Sequence, residues 1–237
     1  MTEKNYPSGS VYPNIWFQGG GYACIWSFGV AQAIKESKFN FSNVGGYSAG
    51  ALVATFLCNP HTSVENCLDS CFDGPYGPKK SIFAPIGRHQ RNMTYMAEAC
   101  AGHPHDWNCN FYNQKLWIPI RGLMSFTGSW RSRYRNYDDL VDVVVSSGCI
   151  PGMSGELSNC YYQDNSEKRG PTIDGGLFSS TPPEFWKGDT IIVSPWGSGD
   201  INMNPSARFL DIIIPRIDRL WMYYQLGVTQ GRKFFSS

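Results

Sequence analysis

The sequence predicts an α/β domain of three layers, α/β/α, with a mostly parallel central sheet. Three observations predict it: short apolar runs alternate with helix-like segments, glycines gather where the runs end, and 237 residues suit one core spanning 1–237. In such folds ligands bind beyond the carboxyl ends of the strands, so the glycine-rich ends are where function is sought.

Asn14 to Phe17 reads as a first buried strand, followed by Gly19, Gly20 and Gly21 and a helix from Ile25 to Glu36. A glycine loop between strand and helix leaves backbone N–H groups pointing outward, able to bind a phosphate or a developing oxyanion. A dinucleotide fingerprint would need glycine where Cys24 stands, and the Gly-Lys-Ser/Thr of a phosphate loop is absent. Gly29 inside the helix is expected to permit close packing of helix on strand.

A second buried strand, Asn43 to Tyr47, runs into Gly45–Gly50, whose sequence GGYSAG contains the pattern G-x-S-x-G, and then into the uncharged helix formers Ala51 to Cys58. The pattern suits a nucleophile elbow, in which Ser48 sits strained and exposed where strand turns into helix. At a helix N-terminus, partial positive charge favours an alkoxide. A plain glycine turn entering a buried helix gives the same pattern, so a second motif is needed.

Helices follow at Ser63 to Phe72, capped by Thr62 or Ser63, and at Gly87 to Ala101, where Arg88, His89 and Arg91 suit a solvated face. Strands are expected at Lys115 to Arg121 and Ser129 to Tyr134. Asp138 is read as the cap of a helix from Leu140 to Ser147 that ends at GCIPG. A short strand, Pro171 to Ile173, delivers Asp174, Gly175 and Gly176; another, Thr190 to Val193, leads into SPWGSGD; Asp218 to Phe235 closes the chain as a helix.

Charged residues make up 16% of the chain, against roughly 25% in an average soluble protein, aromatic residues make up 15%, and the net charge is +1. Such a surface suits contact with something greasy, and without a basic excess it excludes nucleic acid as a partner. The opening MTEKNYPSGS lacks the basic-then-apolar order of a signal peptide. No apolar run approaches the length of about 20 residues that spans a bilayer; Phe209 to Pro215 is broken by charge and proline. A cytoplasmic location is expected, with all eight cysteines reduced.

A serine nucleophile needs a base within hydrogen-bond reach. All four histidines, His61, His89, His103 and His105, precede residue 106, so none can fill the late position of an ordinary α/β-hydrolase triad. A carboxylate acting directly on Ser48 is left, and Asp174 ends a strand beside two glycines. A rival metal site, Cys100, His103, His105 and Cys109, has four zinc-type ligands within ten positions, at a spacing unlike the familiar zinc motifs.

With these motifs in hand the chain resembles the patatin-like phospholipases, in particular the branch containing adipose triglyceride lipase and adiponutrin. The matching residues are Gly19 to Gly21, Ser48 within GYSAG, Asp174 within DGG, the segment SSGCIPG from Ser146 to Gly152, and TIIVSPWGSGDI from Thr190 to Ile201. The resemblance implies a glycerolipid acyl hydrolase acting through a Ser48–Asp174 dyad, with Gly19, Gly20 and Gly21 as oxyanion hole. It implies no metal or organic cofactor and a peripheral attachment to membranes or lipid droplets. Cys24 stands where the family usually has glycine, Tyr47 is bulkier than its counterparts, and the long C-terminal region of the larger members is expected to be missing. A lipid-binding or acyl-transferring protein with little hydrolytic turnover is the alternative.

Overall fold

The computed structural model of the chain describes residues 12–74, 89–122, 128–150, 161–163, 169–177, 180–204 and 216–236. Its strands are β1 (Asn14–Phe17), β2 (Val44–Gly46), β3 (Leu116–Gly122), β4 (Gly128–Arg131), β5 (Tyr161–Gln163), β6 (Arg169–Ile173), β7 (Thr190–Ser194) and β8 (Ile201–Asn202). Its α-helices are α1 (Cys24–Ser37), α2 (Ala49–Cys58), α3 (Val64–Asp73), α4 (His89–Ala101), α5 (Tyr137–Ser147) and α6 (Ile217–Phe235).

The strands form one sheet in the order β5-β6-β3-β2-β1-β7-β8, with β4 also on β3. The segment β3-β2-β1-β7-β8 is parallel throughout, whereas β4, β5 and β6 join antiparallel. The sheet is thus mostly parallel as expected, and the antiparallel end supplies Asp174. β1 lies between β2 and β7, so the chain leaving β1 emerges between the ends of its two neighbours.

Burial follows the sequence chemistry. Every residue of β1 and of α2 is buried, which is why neither carries a charge. The one amide in β1, Asn14, is satisfied: it donates to the Lys187 carbonyl at 2.9 Å and accepts from Asn43 at 2.7 Å. Ser63 caps α3 by accepting from the Asn66 N–H. The cap of α5 is Asn136, which accepts from Asp139 N–H, and not Asp138; that residue sits in the first turn, where its charge favours the dipole. Residues 87 and 88, at the expected start of α4, and the run Phe209 to Pro215 lie outside the described residues. Among the described residues no helix is long and apolar enough to cross a membrane.

Gly29 serves a helix pair rather than the expected helix–strand contact. A β-carbon there would run into the Tyr224 carbonyl and Val228 N–H of α6, and one at Gly227 would run into the Trp26 carbonyl of α1. Without side chains at these points the two backbones meet, and Trp26 Nε1 donates to Gln230 Oε1 at 2.7 Å across the seam. Gly227→Val would force the helices apart, and overpacking of this kind costs about 1–3 kcal/mol. We expect a lower urea midpoint at unchanged m-value, and an unshifted midpoint would show that the helices separate freely.

Candidate active site

At the end of β2 the chain passes so near the end of β1 that only glycine fits. A β-carbon at Gly46 would stand 2.5 Å from the Phe17 carbonyl, and one at Gly50 would collide with the same oxygen. Between them Ser48 takes φ 54° and ψ −133°, a conformation that costs a non-glycine residue of order 1–3 kcal/mol. Its N–H donates to the carbonyl and to Oγ of Ser147, both at 3.2 Å. Ser48 immediately precedes the first residue of α2 and is half-buried. The elbow expected from G-x-S-x-G is therefore present as backbone geometry.

Asp174 follows β6, is only 4% exposed, and donates its N–H to the Cys149 carbonyl at 2.6 Å. Its carboxylate accepts from Gly176 N–H at 2.8 Å, and the Ser48 side chain beside it favours its ionised form. Burial pushes its pKa up to about 6, opposed by the hydrogen bonds from Ser48 and Gly176. The C-terminal end of α5 thus holds both partners, Ser48 through Ser147 and Asp174 through Cys149. Cys149 is disulfide-bonded, which overturns the expectation of eight reduced thiols. An uneven cysteine spacing cannot reveal which pair the fold brings together. Cys24, Cys58, Cys67, Cys71 and Cys100 are free and buried, and burial pushes the Cys24 and Cys58 thiols up to about 12, so both are inert packing.

The glycine loop lies against the elbow: a β-carbon at Gly19 would meet Ser48 Cβ at 2.8 Å and the Tyr47 ring at 2.7 Å. The Tyr47 ring is held between Gly19 and Gly176, where a β-carbon on either would strike it. Burial, then the neighbouring Asp174 charge, raises the Tyr47 pKa, and the Gly19 backbone beside the phenol lowers it. Gly20 and Gly21 N–H have no partner among the described residues. From the other side, after β7, Trp196 Nε1 donates to the Gly19 carbonyl at 2.7 Å. The sequence reading included Ser147 and Trp196 in matched segments and noted the bulk of Tyr47 but missed the roles of all three, because each works through a contact between residues distant in sequence or through backbone.

A narrow, mainly apolar cavity adjoins this corner, lined by Gly21, Ala49, Leu52, Met93 and Met96 with the polar pair Tyr22 and Asn92. Among the described side chains, His61 packs on Phe111 and His103 stacks on His105 at exposed positions, away from the carboxylate. Cys100 is buried against Cys67 at 3.6 Å, so the four-ligand cluster does not converge. Among the described residues no group of three or more histidine, cysteine or acidic side chains is placed to hold a metal ion.

A family model described as patatin-like phospholipase matches residues 15–74, the stretch that holds the glycine loop and Ser48. Triacylglycerol lipase 5 of Saccharomyces cerevisiae is 25% identical over 209 residues, covering 81% of this chain and 25% of its own length. Human patatin-like phospholipase domain-containing protein 4 is 22% identical over 199 residues, covering 82% of this chain and 76% of that one. Human patatin-like phospholipase domain-containing protein 2 is 25% identical over 230 residues, covering 90% of this chain and 41% of that one. The chain thus spans a quarter of the yeast lipase and under half of one human relative. The chain is thus similar to patatin-like phospholipases, in its elbow by the family model and along most of its length to these proteins.

Proposed function

We propose that the protein is a serine acyl hydrolase that cleaves ester bonds of glycerolipids through a Ser48–Asp174 dyad. The observation that carries this reading is a strained, half-buried serine whose side chain lies beside, and lowers the pKa of, a buried carboxylate. Asp174 takes the proton as Ser48 Oγ attacks the ester carbonyl. The Gly20 and Gly21 N–H groups, with the N-terminus of α2, stabilise the oxyanion; its collapse expels the alcohol and leaves an acyl-serine, which water then cleaves to a fatty acid. Metal and organic cofactors are not needed for this chemistry.

Peripheral attachment to a membrane or lipid-droplet surface accompanies the proposal. Trp196 is 39% exposed beside the glycine loop, where an indole can enter a lipid headgroup region. Because Cys149 is disulfide-bonded, the cysteine pattern does not support a reducing compartment.

Intact-mass analysis after exposure to a fluorophosphonate probe is the direct test. The wild type should gain one probe mass, Ser48→Ala none, and Asp174→Asn should label more slowly by the factor of about 10²–10⁴ typical of a lost general base. A wild type that binds lipid vesicles but stays unlabelled would move the lipid-binding alternative ahead.

Activity and stability should respond oppositely to pH. Hydrolysis requires ionised Asp174, so it should rise with pH through about 6. An imidazole limb would fall in the same range, so alanine variants of His61, His89, His103 and His105 must leave the midpoint in place. The raised carboxyl binds its proton more tightly folded than unfolded. Its stabilising contribution is therefore complete below about 3.8 and lost as pH rises through about 6. Asp174→Asn should accordingly melt higher than wild type at pH 8, with the difference shrinking towards pH 4. A difference constant across that range would show that Asp174 does not titrate on this scale.

A further inference from the structure

We propose that Tyr47 and Trp196 are positioning residues that clamp Gly19 from opposite sides and so aim the Gly20 and Gly21 N–H groups at the oxyanion. This rests on the acyl-hydrolase reading of the same site. Glycine peptide planes turn with little steric resistance, so a loop of three glycines is preorganised only if something outside it fixes the planes.

Each plane in the loop has such a fixture. The plane joining Gln18 to Gly19 carries the Gly19 N–H, and the Tyr47 side chain packs so closely on Gly19 that a β-carbon there would meet its ring at 2.7 Å, which sets the phenol beside that N–H. The plane joining Gly19 to Gly20 carries the Gly19 carbonyl, held by Trp196 Nε1 at 2.7 Å. The plane joining Gly20 to Gly21 carries the Gly20 carbonyl, which accepts from Ala23 N–H at 3.0 Å. A trans peptide is rigid and planar, with its N–H opposite its C=O. Holding the Gly19 oxygen therefore sets the direction of Gly20 N–H, and holding the Gly20 oxygen sets that of Gly21 N–H.

The clamp is itself braced. Ser194 Oγ donates to Gln18 Oε1 at 2.6 Å and accepts from Trp196 N–H at 3.2 Å. Pro195 backs Gly20 so closely that a β-carbon there would stand 2.8 Å from its Cγ. On the other side the Tyr47 ring is confined between Gly19 and Gly176 and tilted against Trp16, centroids 6.2 Å apart. Gly19 is thus an anchor, and the donors are Gly20 and Gly21.

Tyr47→Phe keeps the ring and removes its hydroxyl, and Trp196→Phe keeps an aromatic side chain without the indole N–H that bonds Gly19. With a p-nitrophenyl acyl ester, each should lower kcat about tenfold while KM stays within twofold, less than the 10²–10³ lost with a whole oxyanion donor. Affinity for a trifluoromethyl ketone of the same acyl chain should fall in parallel with kcat/KM, and affinity for the matching ether should not move. Because both changes release the same glycine, the double variant should fall short of the product of the single effects. Amide exchange supplies a readout independent of turnover: Gly19 N–H should be protected in the wild type and lose protection in Tyr47→Phe.

Variants that keep kcat and ketone affinity within twofold, or a Gly19 amide indifferent to Tyr47→Phe, would overturn the clamp. So would equal weakening of ketone and ether binding, which marks general loosening. If Gly19 protection responds as stated but the wild type neither hydrolyses esters nor takes the fluorophosphonate, the acyl-hydrolase reading fails and the catalytic consequence of the clamp fails with it.

Discussion

The structure depends on the approach of the Phe17 carbonyl to Gly46 and Gly50. That oxygen ends β1, and the glycines flank the turn from β2 into α2, so the contact joins two backbones with no side chain between them. It brings the loop after β1 against the serine that precedes α2, and it obliges Ser48 to take a positive φ. Most strand–helix junctions keep several ångströms of side chain between neighbours. Here the site exists because that spacing is gone, and replacing either glycine with alanine would move the elbow from the loop before it touched any chemistry.

Around this contact polar groups are buried to different ends. Ser147 secures the Ser48 backbone, Cys149 secures the Asp174 backbone, and the Asp174 carboxyl is left with two donors inside a largely dry corner. Two donors do not offset the burial, so the carboxyl favours its proton more than a surface aspartate does. A buried base held at such cost is the pattern expected when stability is traded for reactivity. The nearby cysteines show the contrast: equally buried, without a cationic neighbour strong enough to lower them, they are held as neutral packing.

Much of this was legible in the sequence because it depends on local chemistry. Strand β1, the helix after the elbow, the serine cap of α3 and the Asp-Gly-Gly turn follow from composition and short spacings. Even so, Asn136 and not Asp138 caps α5, since two adjacent candidates differ only in where the first turn begins. Long-range facts were out of reach. Whether Gly29 faces a strand or a helix depends on where residues 217–235 dock, and nothing near Gly29 encodes that. The disulfide at Cys149 and the bond from Trp196 to Gly19 are of the same kind. Tyr47 was noticed for its bulk, but its hydroxyl's use depends on the carbonyl-to-glycine approach that seats it.

The glycine seam between α1 and α6 also orders events during synthesis. Trp26 and Gln230, which bond across it, are 204 residues apart. At translation rates of 5–20 residues per second the first helix waits roughly 10 to 40 s for its partner. Throughout that interval the flat, glycine-notched side of α1 has no mate, and the nascent chain is a natural client for chaperones that shield apolar surface. Helix α6 therefore closes over a partner helix made long before it.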